Sequence, residues 1–481
     1  MAANSSDKSE RSALVRGLGL WSATAIVIGD TIGTGIFLVS SDMARAVGSA
    51  TLVLAAWILG GLIVTLGAFC YAELGAAFPK AGGPYVYLSR GLSPLWGFLF
   101  GWMSSFLERP VGMATLAAGF VRFLGFFFPM LATPLFTIHS ARYEFTLTSA
   151  QPLAALVVVV VTAINYFSVR MSGAIQVGLT SLKIATILLI VFGAMLFGTQ
   201  NASKAAATVG QFGFGTIGPL LTALVPAMWA YNGFNDLGDL GEEILRPQKN
   251  IPRAIILGIL AVSSLYLMAN VVYFHTLPFA QVALSQHVAS DVVQAVAGSR
   301  GATWLTVAMA ISALGALHVV ILTGARIPYA MACDGVFFRF AERIHPCFRT
   351  PSGALIFLGS LAALLALSGT YEELYSLFVF AVWIFFALTA IALLRLRQKE
   401  PNLFRPYRAW GYPWTPLIFL VAAVALTVNL WMVRPVRSSL GLAVIVAFHS
   451  SSTGAGLDHP PQRSIVKRLG PSLASSPSSG L

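Results

Sequence analysis

Gly29-Asp30-Thr31-Ile32-Gly33-Thr34-Gly35-Ile36-Phe37 decides how this chain is read. Apolar residues flank it, from Leu18 to Ile28 and again from Ile36 to Val39, so the stretch lies inside a hydrophobic segment. A soluble helix does not carry so long an apolar run, and an ordinary membrane helix does not carry three glycines and two threonines in mid-span. Glycine costs about 1 kcal/mol relative to alanine in a helix interior. In hydrocarbon, each freed backbone group costs several kcal/mol more unless it finds a partner. Such a break persists only where it lines a cavity or meets protein. Small residues also let helices pack closely, so the stretch by itself leaves a packing role and a binding role open.

Working outward, the 481 residues are 57% hydrophobic and only 10% charged, against about 25% charged in soluble domains. The chain belongs in a bilayer, as an all-α integral membrane protein. Roughly 20 apolar residues span one, and the sequence holds about twelve such segments. They fall near 18–40, 50–78, 94–124, 151–168, 173–198 and 216–240, then 252–275, 302–333, 352–369, 372–395, 413–433 and 438–449. The formal net charge of +12 does not point to nucleic acid, because the basic residues sit between hydrophobic segments. Lys8, Arg11 and Arg16 precede span one; Lys80 and Arg90 follow span two; Arg246, Lys249 and Arg253 follow span six; Arg395, Arg397 and Lys399 follow span ten. The alternate loops hold little beyond Arg45, Arg142, Lys204 and Arg300, so the amino terminus is expected in the cytoplasm of a multi-pass plasma-membrane protein. Met1 to Glu10 is polar and shows no cleavable signal peptide. Cys70, Cys333 and Cys347 have no metal-site spacing, and no cofactor or metal is expected.

Span six repeats the anomaly of span one. Pro226 to Ala230 is apolar, Tyr231-Asn232-Gly233-Phe234-Asn235-Asp236 interrupts it, and Leu237 to Leu240 resumes it. Equivalent breaks five spans apart enter the membrane with opposite orientation, the pattern of an inverted repeat with two discontinuous helices at the midplane. The chain then divides into a cytoplasmic tail (1–16), a transmembrane domain (17–449) and a disordered tail (450–481). The domain comprises halves at about 17–198 and 216–395, followed by two further helices.

A broken helix offers amides and a positive dipole end from its second half, and free carbonyls from its first. An α-amino acid carries the complementary charges one carbon apart. Gly33, Thr34 and Gly35 are the expected carboxylate donors, and carbonyls near Thr31, Trp229 and Asn232 the expected amine acceptors, with Ile32 and Gly233 completing the two breaks. Trp229 reads either as a gate over the substrate or as a packing aromatic. Lys183 lies mid-span in segment five, where a lysine costs about 3 kcal/mol on insertion scales. Its ammonium is expected to hold the carbonyls of the first break, as a bound cation would, making transport independent of sodium. Glu108 and Arg109 read as a local ion pair or as substrate contacts. Asp236 and Asp239 line a vestibule or couple protons; His318 faces the pocket or packs. No HExxH, GxSxG or Walker-type loop is present, so an enzyme is not expected.

These residues resemble the amino acid–polyamine–organocation superfamily, most closely its L-type amino acid transporter branch. Ile32-Gly33-Thr34-Gly35-Ile36-Phe37 is similar to the family's first-span signature. Tyr71-Ala72-Glu73-Leu74 and Lys80-Ala81-Gly82-Gly83-Pro84-Tyr85 are similar to its second span and the loop beyond. Arg109-Pro110, Ala230-Tyr231-Asn232-Gly233-Phe234-Asn235, Glu242-Glu243 and Lys183 follow in the family's order. Asn232 stands where the family usually has glycine, and Phe234 where it usually has tryptophan. The resemblance implies a LeuT-like five-plus-five inverted-repeat fold and alternating access. It also implies sodium-independent exchange of neutral L-amino acids, with proton-coupled amino acid or polyamine symport the alternative and a non-transporting membrane sensor a further one. Eukaryotic members pair with a glycoprotein through a cysteine after span three. The stretch from Phe126 to Gln151 has none, so no disulfide-linked subunit is expected. At the carboxyl end the apolar run stops after Phe448; a short last helix or an altered reading frame would each produce it.

Overall fold

A computed structural model describes residues 17–443, apart from 81, 141–142, 168–172, 198–214, 216, 349, 437 and 440. The two tails, the residues beyond 443 in span twelve, and Lys8, Arg11, Arg16, Arg142 and Lys204 lie outside the described residues. Span one runs Leu20–Thr31 and resumes at Gly35–Leu38, followed by a short helix Ser40–Val47. Span two is Ala50–Ala77, four is Ala150–Phe167 and five is Gly173–Phe197. Span six begins as Ile217–Ala230, seven is Pro247–Thr276, and eight is Val288–Gly324 with Arg326–Cys333 beyond it. Spans nine, ten and eleven are Ser352–Ala366, Tyr371–Lys399 and Trp414–Val433.

Among the described residues, eight helices are long and apolar enough to cross a membrane, and the helices of spans six and nine are shorter apolar ones. Span three is interrupted where Pro94–Met103 passes through a π-turn, Ser104–Glu108, into Arg109–Leu124. Pro110 has no amide for the helical ladder, and a π-turn absorbs such an offset. A helix from Val288 meets span eight at a kink at Gly298, where φ is +72°, and the helix beyond the kink begins close to the expected residue 302.

One feature departs from the all-α expectation. Pro134–Ser140 and Tyr143–Thr148 pair as an antiparallel hairpin in the connection after span three. The run of aromatic and β-branched residues there favours strand over helix.

The breaks sit in the centre of the helix bundle. Spans two and seven pack closely, and the rings of Trp57, Tyr231 and Tyr266 meet edge-on or tilted between spans two, six and seven. Span ten starts with a capping box, Thr370 and Glu373 exchanging hydrogen bonds. That cap fixes Tyr371, the first helical residue, against the breaks.

Candidate functional site

The first break follows from a shortage of regular hydrogen bonds. The Ile32 amide still donates to the Ile28 carbonyl at 2.8 Å, but the Gly33 amide turns back to Thr31 O at 2.9 Å. The carbonyl of Gly29, which a continuing helix would give to Gly33, is thereby released. Ile32 O loses its helical partner in the same way. Lys183 Nζ donates to both, at 2.7 Å to Gly29 O and 2.9 Å to Ile32 O, with the lysine only 4% exposed.

The second break is set by Gly233. Its φ of +117° favours glycine, and a Cβ there would lie 2.9 Å from Thr31 N and 3.0 Å from the Asp30 carbonyl carbon. The two breaks therefore touch through backbone. Tyr266 of span seven ties them further: its hydroxyl lies 2.9 Å from Thr31 O and 3.0 Å from Ala230 O. Beyond the turn, span six continues as a 3-10 segment, Asp236–Leu240.

A narrow cavity lies where the breaks meet. Thr31, Gly33, Thr34 and Gly35 line it from span one, and Trp229, Asn232 and Gly233 from span six. Ile32 is not part of its wall. Gly35 opens the resumed helix, so its amide has no acceptor within that helix. The Thr31 carbonyl, an expected amine acceptor, is already engaged by the Gly33 amide and Tyr266; these fill its two lone pairs in this conformation.

Both ends of the cavity are closed. Towards the helix Ser40–Val47, Trp229 Nε1 donates to Tyr371 Oη at 3.0 Å, and Tyr371 Oη lies 3.0 Å from Thr34 Oγ1. Phe378 meets the Trp229 ring edge-on at 4.9 Å. Above this, Arg122 pairs with Glu372 at 2.7 Å, and Asp42 takes a hydrogen bond from Tyr375 at 2.8 Å and pairs with Arg45. Burial, then the neighbouring Glu372, raises Asp42 to about 6. At the other end, the amides of Gly17 and Leu18 donate to Glu243 O, Leu245 N donates to Leu18 O, and Glu243 pairs with Arg326 at 3.0 Å. Between these, Tyr71, Phe234 and Phe386 form a three-ring cluster with centroids 5.5–5.6 Å apart.

The remaining expected residues divide. Arg109 does not form the local pair with Glu108 as its main contact. Instead it reaches across to span six, donating to Asp236 at 2.5 and 3.0 Å and to Asp239 at 3.0 Å. Both aspartates are buried, and Asp236 lines the cavity. His318 lies outside the cavity wall, its Nδ1 3.0 Å from Asn165 Nδ2 of span four.

Three residues at the site escaped the sequence reading. Asp30 lines the cavity and stood in the decisive stretch; the rule that intramembrane charges are costly and functional would have found it. Tyr266 and Tyr371 carry no local signal, since tyrosine is ordinary in membrane segments.

A family model described as "Amino acid permease" matches residues 18–449. The chain is 30% identical over 407 residues to the b(0,+)-type amino acid transporter 1 of Oryctolagus cuniculus, covering 84% of this chain and 80% of that protein. It is 30% identical over 443 residues to the Asc-type amino acid transporter 1 of Mus musculus, covering 91% and 81%. It is 29% identical over 419 residues to the serine/threonine exchanger SteT of Bacillus subtilis, covering 86% and 91%.

Proposed function

Because this chain belongs to the amino acid permease family, we propose that it exchanges neutral L-amino acids across the plasma membrane, without sodium, by alternating access. The observation that carries this reading is the Lys183 ammonium seated on Gly29 O and Ile32 O beside the cavity. A protein-borne cation there does the work of a bound metal cation, so no ion need accompany the substrate. Relatives named as amino acid transporters, one of them a serine/threonine exchanger, support the substrate class.

In mechanism, the substrate carboxylate meets the amide end of the first break at Thr34 and Gly35. The amine lies towards Asn232 and Gly233 of the second. Spans one to five and six to ten act as inverted halves that rock about these breaks. The positive-inside rule supports a cytoplasmic end bearing Lys80, Arg90, Arg246 and Arg397, and with it a cytoplasmic amino terminus. Trp229, Tyr371 and Thr34 form the thin gate on the opposite side. Proton-driven symport through Asp236, Asp239 and His318 has less support, because Arg109 pairs both aspartates and His318 binds Asn165.

The test is efflux of radiolabelled serine or alanine from proteoliposomes, with and without unlabelled amino acid outside, repeated without sodium. Efflux that needs external amino acid and ignores sodium is the expected result. Efflux without counter-substrate, or only with sodium, would overturn the proposal.

A further inference from the structure

Several polar groups on the cavity wall are already engaged. Thr34 Oγ1 lies 3.0 Å from Tyr371 Oη, the Thr31 hydroxyl donates to Val27 O at 2.7 Å, and Arg109 holds Asp236 and Asp239. Three wall residues keep a buried polar atom with no hydrogen-bond partner among the described residues: Glu108 Oε2, Arg109 Nε and Asn232 Oδ1. Glu108 and Arg109 are charged and only 2% and 4% exposed, so they lie deep in the wall. Asn232 differs on both counts, being neutral and only partly buried. Its Nδ2 makes no hydrogen bond to a described residue either. A whole carboxamide, with one acceptor and two N–H donors, therefore stands unused at the cavity.

The backbone holds this group in place. The Asn232 amide donates to Trp229 O at 3.2 Å, and the residues on either side are pressed onto span one. A Cβ on Gly35 would lie 2.7 Å from the Ala230 Cα, and one on Gly233 would lie 2.9 Å from Thr31 N. Asn232 sits between those two contacts, close to the amide end at Thr34 and Gly35 where the substrate carboxylate is seated. A short substrate side chain suffices to reach it. An apolar side chain closed against the carboxamide leaves it buried and unpaired, whereas a hydroxyl donates to Oδ1 and accepts from Nδ2. We propose that Asn232 reads the substrate side chain, its carboxamide holding a hydroxyl on the β-carbon, and so selects β-hydroxy amino acids over apolar ones of the same size. Leu116, Val320 and Phe378 of the same wall take the methyl group that threonine adds to serine.

This selectivity rests on the amino acid exchange proposed above and adds a substrate class to it. A site that hydrogen-bonds a substrate hydroxyl rejects the analogue lacking it, because its own polar atoms are then left unpaired. A site of apolar side chains alone favours valine over threonine instead, so the sign of the preference is diagnostic.

The experiment is displacement of radiolabelled alanine from the purified full-length protein by unlabelled serine, alanine, threonine and valine. Threonine and valine share a shape and differ by a hydroxyl in place of a methyl. The wild type should bind threonine at least about tenfold tighter than valine, the effect of one buried hydrogen bond. It should also bind serine tighter than alanine. Asn232→Leu, which keeps the bulk and removes both polar atoms, should bring the threonine-to-valine preference to unity or reverse it. Asn232→Ala supplies the same ratio if the leucine variant does not fold. A purely structural role would weaken all four ligands together and leave the ratios unchanged, which would overturn the assignment. A preference that survives in both variants would overturn it equally, since another group then holds the hydroxyl. Equal binding of threonine and valine by the wild type would overturn it while leaving the exchanger intact. A wild type that binds none of the four would overturn the exchange reading and this one with it.

Discussion

Replacing Lys183 by methionine keeps most of the side-chain volume and removes the ammonium. Two carbonyls, Gly29 O and Ile32 O, then lose the donors 2.7 and 2.9 Å away. Leaving a buried acceptor unsatisfied costs about 1–3 kcal/mol, so the break loses roughly 2–6 kcal/mol of local support. Removing the lysine also relieves about 3 kcal/mol of insertion cost. The two effects oppose each other in the stability of the whole protein, but only the first acts on the shape of the break. Lys183→Met should therefore express and insert nearly as the wild type does. Its exchange should fall by at least about 30-fold, the equivalent of 2 kcal/mol. The assay is counterflow of labelled serine into proteoliposomes, normalised to monodisperse reconstituted protein. Wild-type exchange in the methionine variant would refute the argument that the ammonium holds the break. Restoration of exchange by added sodium would show instead that the lysine occupies a cation's place.

Three further substitutions probe other parts of the site. Tyr371→Phe strands the buried Trp229 N–H, at about 1–3 kcal/mol, and should raise efflux measured without counter-substrate, because the thin gate closes less firmly. Arg109→Met leaves Asp236 and Asp239 buried without their cation, a loss of about 3–5 kcal/mol; a clearly lowered thermal transition in detergent is expected, and an unshifted one would show that the pair does not depend on Arg109. Gly233→Ala drives a Cβ to 2.9 Å from Thr31 N at a φ of +117° and should abolish exchange. Gly193→Ala, with nothing within 4 Å, should be neutral or gain up to about 1 kcal/mol of helix propensity, as read by thermal unfolding.

What the sequence determined by itself was everything governed by the solvent around the chain. Apolar run length located the spans, since hydrocarbon demands about 20 apolar residues per crossing. Glycine and polar residues in mid-span located both breaks, because only a cavity or a protein contact tolerates them. The cost of an ammonium at depth singled out Lys183 before any neighbour was known. Span limits were less legible. Pro110 offset span three into a π-turn, and a separate helix from Val288, in a sequence too mixed to read as apolar, leads into span eight across the Gly298 kink. The hairpin after span three was hidden because attention to apolar length says nothing about short strands.

Tertiary structure decided the partners. Arg109 sits next to Glu108 in sequence, yet the fold brings it to Asp236 and Asp239, 127 and 130 residues away. Tyr371 joins the site only because span ten carries it between Thr34 and Trp229. The breaks of spans one and six meet because Gly233 lets two backbones touch. A sequence records the cost that each side chain must offset in a membrane. It does not record which residue, hundreds of positions distant, offsets it, because that choice is made by the packing of whole helices.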